Sequence, residues 1–279
     1  MEAGCPVCGS LQSAKGPRRY QRCASCGLLF ATGKAGDASW YEASWIYDHR
    51  PKAMRAGYAE GVWAWSQFFQ IAPPVDGEAS LLDVGCGQGH FLDAARRRGF
   101  RVQGLDFNPN CVEAARNLYG IQVISQDLAS YATEGHHFNC VTAFEILEHI
   151  ADPVEALRSL SRLATYLGIS VPCAARRPPL FGRGIDDPPH HLTLWTEESL
   201  RRALVKAGLE PKQVVGDAYS PECLATYLGG LVGGNYPLHR YARGIAIRLG
   251  RLLGRFVRAR EPGSFTLFAL AKSTADVEP

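Results

Sequence analysis

Asp83-Val84-Gly85-Cys86-Gly87-Gln88-Gly89 is the stretch that decides how this chain folds. Ala79-Ser80-Leu81-Leu82 before it reads as a buried apolar strand, and residues 91–98 after it read as a helix. A strand, a glycine turn and a helix in that order leave the backbone bare and aim unpaired helix N–H groups at one point, where the polar part of a nucleoside ligand can sit. A dinucleotide fingerprint would carry its third glycine at position 90, where His90 stands, with a glycine one residue early at Gly89. Asp83 just ahead of the glycines would repel phosphates, yet it can hold an ammonium directly or through water. The turn therefore suits the methionine end of S-adenosylmethionine better than a pyrophosphate.

Two more carboxylates follow in register. Arg101-Val-Gln-Gly-Leu-Asp106 reads as a second strand ending in an acid, about twenty residues past the turn, the spacing at which a carboxylate meets ribose hydroxyls. Ile121-Gln-Val-Ile-Ser-Gln-Asp127 ends a third strand the same way and puts Asp127 and Leu128 where an adenine edge would lie. Residues 81–128 together resemble the class I S-adenosylmethionine-dependent methyltransferases, with Asp83, Gly85, Cys86, Gly87 and Gly89 in the first motif, Asp106-Phe107 as the second and Asp127-Leu128 as the third. That resemblance implies a Rossmann-like α/β fold with a seven-stranded sheet whose last strand runs antiparallel, and it adds Phe144 to the cofactor wall.

The chemistry is expected at the end of a fourth strand. Phe138-Asn-Cys-Val-Thr-Ala-Phe144 runs into Glu145-Ile-Leu-Glu148-His149-Ile-Ala-Asp152-Pro153, where Asp152 caps and Pro153 opens the next helix. Ligands of such sheets bind outside the carboxyl ends of the strands, so Glu145, Glu148 and His149 emerge near the departing methyl group. The E-x-x-E-H pattern resembles that of ubiquinone-pathway O-methyltransferases and of the plant microRNA 2′-O-methyltransferase. The resemblance implies a Mg²⁺-type divalent ion on Glu145, Glu148, His149 and a later histidine, His190 or His191, which follow a fifth strand at 167–171. Without a cation, a histidine of near-neutral pKa, His149 or His191, takes the acceptor's proton. Plain helix-start carboxylates and a bridging histidine are the bland alternative.

Composition sets the outer limits. With 279 residues, 46% of them hydrophobic, and a net charge of +3, there is material for one full α/β domain and a small appendage, and the charge is too slight to announce nucleic acid. Met1-Glu-Ala-Gly-Cys5 lacks the basic start and apolar core of a signal peptide, and no apolar run is long enough to span a bilayer, so a cytoplasmic location is the expectation.

Nine cysteines point the same way. Cys5-Pro-Val-Cys8-Gly9 and Cys23-Ala-Ser-Cys26-Gly27 make two C-x-x-C-G knuckles at the spacing of a zinc ribbon. Four thiolates close the coordination sphere, so the Zn²⁺ is structural, a staple for a segment too short to own a core. Lys15, Arg18, Arg19 and Arg22 between the knuckles keep nucleic-acid contact open.

The expected organisation is a zinc ribbon at 1–36, an aromatic helical linker at 37–76 that supplies one or two pocket walls near 41–47, and a methyltransferase domain at 77–279. A helix opens at Thr196 and closes at Gly208, strands follow at 212–215 and 264–272, and an insertion fills 218–262. Residues 239–260 hold seven arginines at helical spacing and no acid: a solvated face, a peripheral contact with anionic lipid, or a cover over an acidic substrate. The reading is an O-methyltransferase for a small-molecule hydroxyl on a metabolite, quinone-like phenol or sugar. Sugar C-methylation, RNA methylation through the ribbon and basic helix, and cofactor binding without catalysis are the alternatives. Amide and nucleobase nitrogens are disfavoured because Phe144-Glu145-Ile146-Leu147 replaces the Asn/Asp-Pro-Pro-aromatic signature.

Overall fold

The computed structural model describes residues 4–17, 19–31, 62–72, 78–175, 188–217, 245 and 266–274. Most of the aromatic linker, and all of the basic run at 239–260 and of the 218–262 insertion except residue 245, lie outside the described residues.

The turn behaves as its sequence predicts. Strand β4 (Ser80–Val84) is buried along its whole length and leads through the glycines into a helix at His90–Arg96. Parallel to β4 on one side lie β5 (Arg101–Leu105) and then β6 (Val123–Ile124); on the other lie β7 (Phe138–Phe144) and β8 (Ala164–Pro172). Near-continuous apolar runs such as Leu81-Leu82 and Val141–Ala143 are what strands covered on both faces require. Strands β10 (Leu209–Gly216) and β11 (Thr266–Ser273) complete the sheet, with β11 antiparallel to both β10 and β8. The order β10-β11-β8-β7-β4-β5-β6 is the seven-stranded sheet expected, and the chain reverses direction of travel between β4 and β7. A crevice opens at such a switch point, on the carboxyl ends of the strands.

Helices seal both faces. Pro153–Leu163, capped by the Asp152 carboxylate accepting from Glu155 N, buries Val154, Leu157 and Leu160. On the opposite face, Trp63–Ile71 inserts Phe68, fully buried, among the rings of Phe91, Phe100 and Phe144. Removing one such aromatic from water is worth about 1.5–3 kcal/mol, which pins this helix behind the Phe144 wall of the crevice.

One strand is shorter than its sequence suggests. The third was expected over 121–127, and only Val123–Ile124 pairs, because Asp127 turns to accept Ser130 N and cap the short helix Leu128–Tyr131.

The cysteine segment forms strands β1 (Ser13–Lys15), β2 (Gln21–Cys23) and β3 (Leu29–Phe30). It does not stop there. Strand β9 (Thr193–Leu194), from the segment after the histidine pair, joins β3 to make a four-stranded sheet, β1-β2-β3-β9. Among the described residues, no helix is long and apolar enough to cross a membrane.

Candidate active site

A cavity of about 450 Å³ opens at the switch point, within the roughly 300–1,000 Å³ usual for small-molecule sites. Its walls come from the ends of three strands: Val84, Gly85 and Gly87 after β4, Leu105, Asp106 and Phe107 after β5, and Phe144, Glu145, Ile146 and His149 after β7. Asp127 and Leu128 close the far edge.

The glycines are a steric necessity. Gly85, at φ +69°, would carry a Cβ 2.1 Å from Ile146 Cδ1, and Gly87 at φ +53° keeps a left-handed turn that a side chain would strain. The bare loop is then held by Asp106, which accepts from Gly87 N and from Asn108 N at 2.8 Å each. Burial nevertheless raises the Asp106 pKa above the usual carboxylate range, against the pull of those two donors. Asp127 is exposed, and its bonds from Ser130 hold its pKa low.

Asp83, Cys86 and Gly89 are not among the residues lining the cavity. Asp83 is buried against Thr142, whose Oγ1 donates to it at 2.7 Å, and desolvation pushes its carboxyl up to about 8. It supports the end of β4 beneath the glycines through that bond to Thr142. Conversely, Asn108, Cys111, Gln126, Ile146 and Ile150 reach the cavity without having been expected there. Asn108-Pro109 is a helix start, with Asn108 Oδ1 accepting Asn110 N, so the cap signature was the signal available for Asn108.

The other half of the site gathers at Leu147–His149, a short 3₁₀ turn. Glu145 enters it at φ +55°, a left-handed conformation costing about 1–2 kcal/mol in a residue with a side chain. It is clamped there by its own N–H to Ser170 O at 3.0 Å and by Ser170 Oγ donating to its carboxylate at 2.8 Å. His149 Nδ1 lies 2.7 Å from His190 O. Since a carbonyl only accepts, Nδ1 carries the hydrogen and Nε2 keeps its lone pair.

His149 stands edge to face against the other two imidazoles, 4.7 Å from the ring of His190 and 4.9 Å from that of His191, while His190 stacks on His191 at 4.5 Å. Glu148, with no exposed surface, points Oε1 to within 3.9 Å of His149 Nε2 and 3.8 Å of His191 Nε2. Burial first, then the two neighbouring imidazoles, lower the His149 pKa to about 3, far from the near-neutral value a free base would offer. Only His149 of the three reaches the cavity; His190 and His191 are buried behind it.

Two clusters of metal-ligand atoms occur among the described residues, each within 4.8 Å of one another: His149, His190 and His191, and Cys5, Cys8, Cys23 and Cys26. In the second, Sγ–Sγ distances of 3.7 Å for Cys5–Cys26 and 3.4 Å for Cys8–Cys23 approach the edge of about 3.8 Å that four sulfurs 2.3 Å from a tetrahedral Zn²⁺ would span. The thiols fit zinc. The histidine cluster, with Glu148 beside it, is rich in nitrogen donors and does not suit Mg²⁺, which prefers oxygen and water; Zn²⁺, Fe²⁺ or Mn²⁺ match it better. Glu145, expected among the cation's ligands, instead keeps its carboxylate on Ser170 and is outside that cluster.

Bare glycine backbone, two carboxylates and the apolar surfaces of Phe107, Leu128, Phe144 and Ile146 fit a nucleoside carrying a charged amino-acid tail. A family model described as a methyltransferase domain matches residues 57–214, which is more than half of the chain. A ubiquinone biosynthesis O-methyltransferase of Psychrobacter arcticus is 29% identical over 180 residues, covering 56% of this chain and 68% of that relative. Among solved structures, a SAM-dependent methyltransferase from Archaeoglobus fulgidus superposes with a TM-score of 0.51 at 21% identity, over 75% of this chain and 92% of the other. The [4+2]-cyclase SpnF does so with a TM-score of 0.52 at 21% identity, over 82% and 86%. These two likenesses show the fold alone, since one of the two structures is a cyclase. The chain belongs to the methyltransferase-domain family and is an S-adenosylmethionine-dependent methyltransferase.

Proposed function

We propose that this methyltransferase modifies a hydroxyl of a small acceptor that enters over Glu145 and His149. One observation carries the reading: Gly85, Asp106 and Asp127 share a single cavity wall with Phe144, Glu145 and His149, so a bound nucleoside and an acceptor would meet inside it. In this reading Asp106 holds the ribose, Phe107 and Leu128 flank the base with Asp127 at its edge, and Gly85 and Gly87 lie along the amino-acid tail. S-adenosylmethionine supplies an electrophilic methyl group whose leaving group is already positive. What the chain must do is align an oxygen and let its proton leave.

His149 is neutral at physiological pH and fixed by its Nδ1–H, which leaves Nε2 with a lone pair 3.9 Å from Glu148 Oε1. At so low a pKa it is a weak proton acceptor by itself and a ready ligand. A transition cation held by His149, His190 and His191, with Glu148 beside them, would lower the acceptor's pKa, which is the second reading that the histidine cluster favours over an unaided base. Glu145 orients the acceptor. A structural Zn²⁺ on Cys5, Cys8, Cys23 and Cys26 completes the assignment.

The oxygen acceptor is supported by the O-methyltransferase relatives, the P. arcticus protein among them. The test is methyl transfer to catechol-type phenols and sugar hydroxyls, followed by mass spectrometry of the product. An O-methyl ether on a small acceptor is the expected outcome. Methyl found only on carbon, or only on RNA, would overturn the assignment in favour of the corresponding alternative.

A further inference from the structure

Three contacts tie the cysteine ribbon to the histidine side, and all converge on residues 190–196. Tyr20, with 1% of its surface exposed, donates its hydroxyl to His191 O at 2.7 Å. Strand β3 pairs with β9 in the register Leu29↔Leu194 and Phe30↔Thr193, and Ala31 N donates to Leu192 O at 2.9 Å. Thr196 Oγ1 donates to the carbonyl of Cys26, itself one of the four clustered cysteines, at 2.8 Å. Leu192 then closes the circuit, since its N–H donates to Glu148 O at 2.6 Å while its carbonyl faces the ribbon.

Residue 192 is thus a backbone bridge between β3 and the turn that carries Glu148 and His149. The stacked His190 and His191 are the two residues immediately before that bridge, held at one end by Tyr20 and by His190 O accepting from His149.

We infer that the ribbon is a working part of the active site: Tyr20 and strand β3 are positioning elements that set His190 and His191 against His149 and Glu148. This rests on the proposal that the histidine side activates the acceptor. A ribbon that served only to fold its own segment would need no hydroxyl bond from a buried tyrosine to the histidine pair, and no strand shared with it. Displacements of about 1 Å at groups that align reactants cost up to about a hundred-fold in rate, so a modest loosening is measurable.

The test uses the full chain carrying Tyr20→Phe, with Ala31→Pro as an independent second variant that deletes the N–H donated to Leu192. Arg202→Ala is the control, because Arg202 ties the ribbon through Ser25 to the helix Glu197–Lys206 and not to residues 190–192. Imidazole resonances of His149, His190 and His191 are followed by NMR, together with S-adenosylhomocysteine affinity and turnover. Both ribbon variants are expected to shift those three resonances and leave His136 and His137 in place. They should keep the affinity within about two-fold and lower kcat about ten-fold with little change in KM for the cofactor. The control should move none of these. Unshifted resonances with wild-type kcat in a folded Tyr20→Phe protein would overturn the inference, as would equal shifts in Arg202→Ala. Shifted resonances in a protein whose wild type transfers no methyl group would instead retire the proposed function and leave the positioning role standing.

Discussion

The two halves of the cavity are built on different principles. The cofactor half is backbone: glycines 85 and 87, a carboxylate on the Gly87 N–H, and strand ends, all within residues 83–128. The histidine half is side chains from four separate places, Glu148-His149 after β7, Ser170 in β8, the 190–192 segment and Tyr20. Local backbone geometry tolerates almost no substitution but needs little support. An assembly of distant side chains tolerates more at each position and depends on everything that holds it.

The sharpest way to break this contrast is Gly85→Val. A side chain at φ +69° and 2.1 Å from Ile146 Cδ1 must unseat the turn, and calorimetry with S-adenosylhomocysteine should register a loss of about a hundred-fold or more in affinity. An unchanged Kd would mean the glycine turn is not where the nucleoside binds. On the histidine half, Glu148→Gln neutralises the buried carboxylate beside His149 and His191, and Co²⁺ titration followed by its visible spectrum should weaken by about 10–100-fold. If wild type and variant take up Co²⁺ equally, the cation belongs elsewhere. Asp106→Asn keeps the shape but removes the charge that fastens Gly87 and Asn108, for an expected drop of about ten-fold in cofactor affinity.

The smallest effect is one of stability. The Asp83 carboxyl is raised from 3.8 to about 8 by burial, so the folded state holds a proton that the unfolded chain releases. Its contribution is fully present below pH about 4 and is lost as pH rises through about 8. Asp83→Asn should therefore gain Tm relative to wild type as pH climbs from 5 to 8. A gap that stays flat across that range would show Asp83 ionised within the fold.

The same contrast explains what could be read in advance. Strand, glycine turn and cap are short-range signals, and Asp83–Gly89, Asp106 and the Asp152-Pro153 helix start were legible because each needs only its neighbours. The third strand ended early because a cap signal at Asp127 competed with its apolar pattern and won. Burial is a property of the whole fold, so the raised pKa of Asp83 and the depressed pKa of His149 had no local signature. The ribbon's share in the histidine side joins Tyr20 to His191 across 171 positions, a pairing that no motif spacing encodes.

If cofactor binding and acceptor chemistry reside in separable halves of one cavity, His149→Ala must uncouple them. Single-turnover methyl transfer and S-adenosylhomocysteine affinity are measured on the same preparation. The account predicts a Kd within about two-fold of wild type and a rate lower by about 10²–10⁴. A wild-type rate, or a loss of affinity as large as the loss of rate, would contradict it.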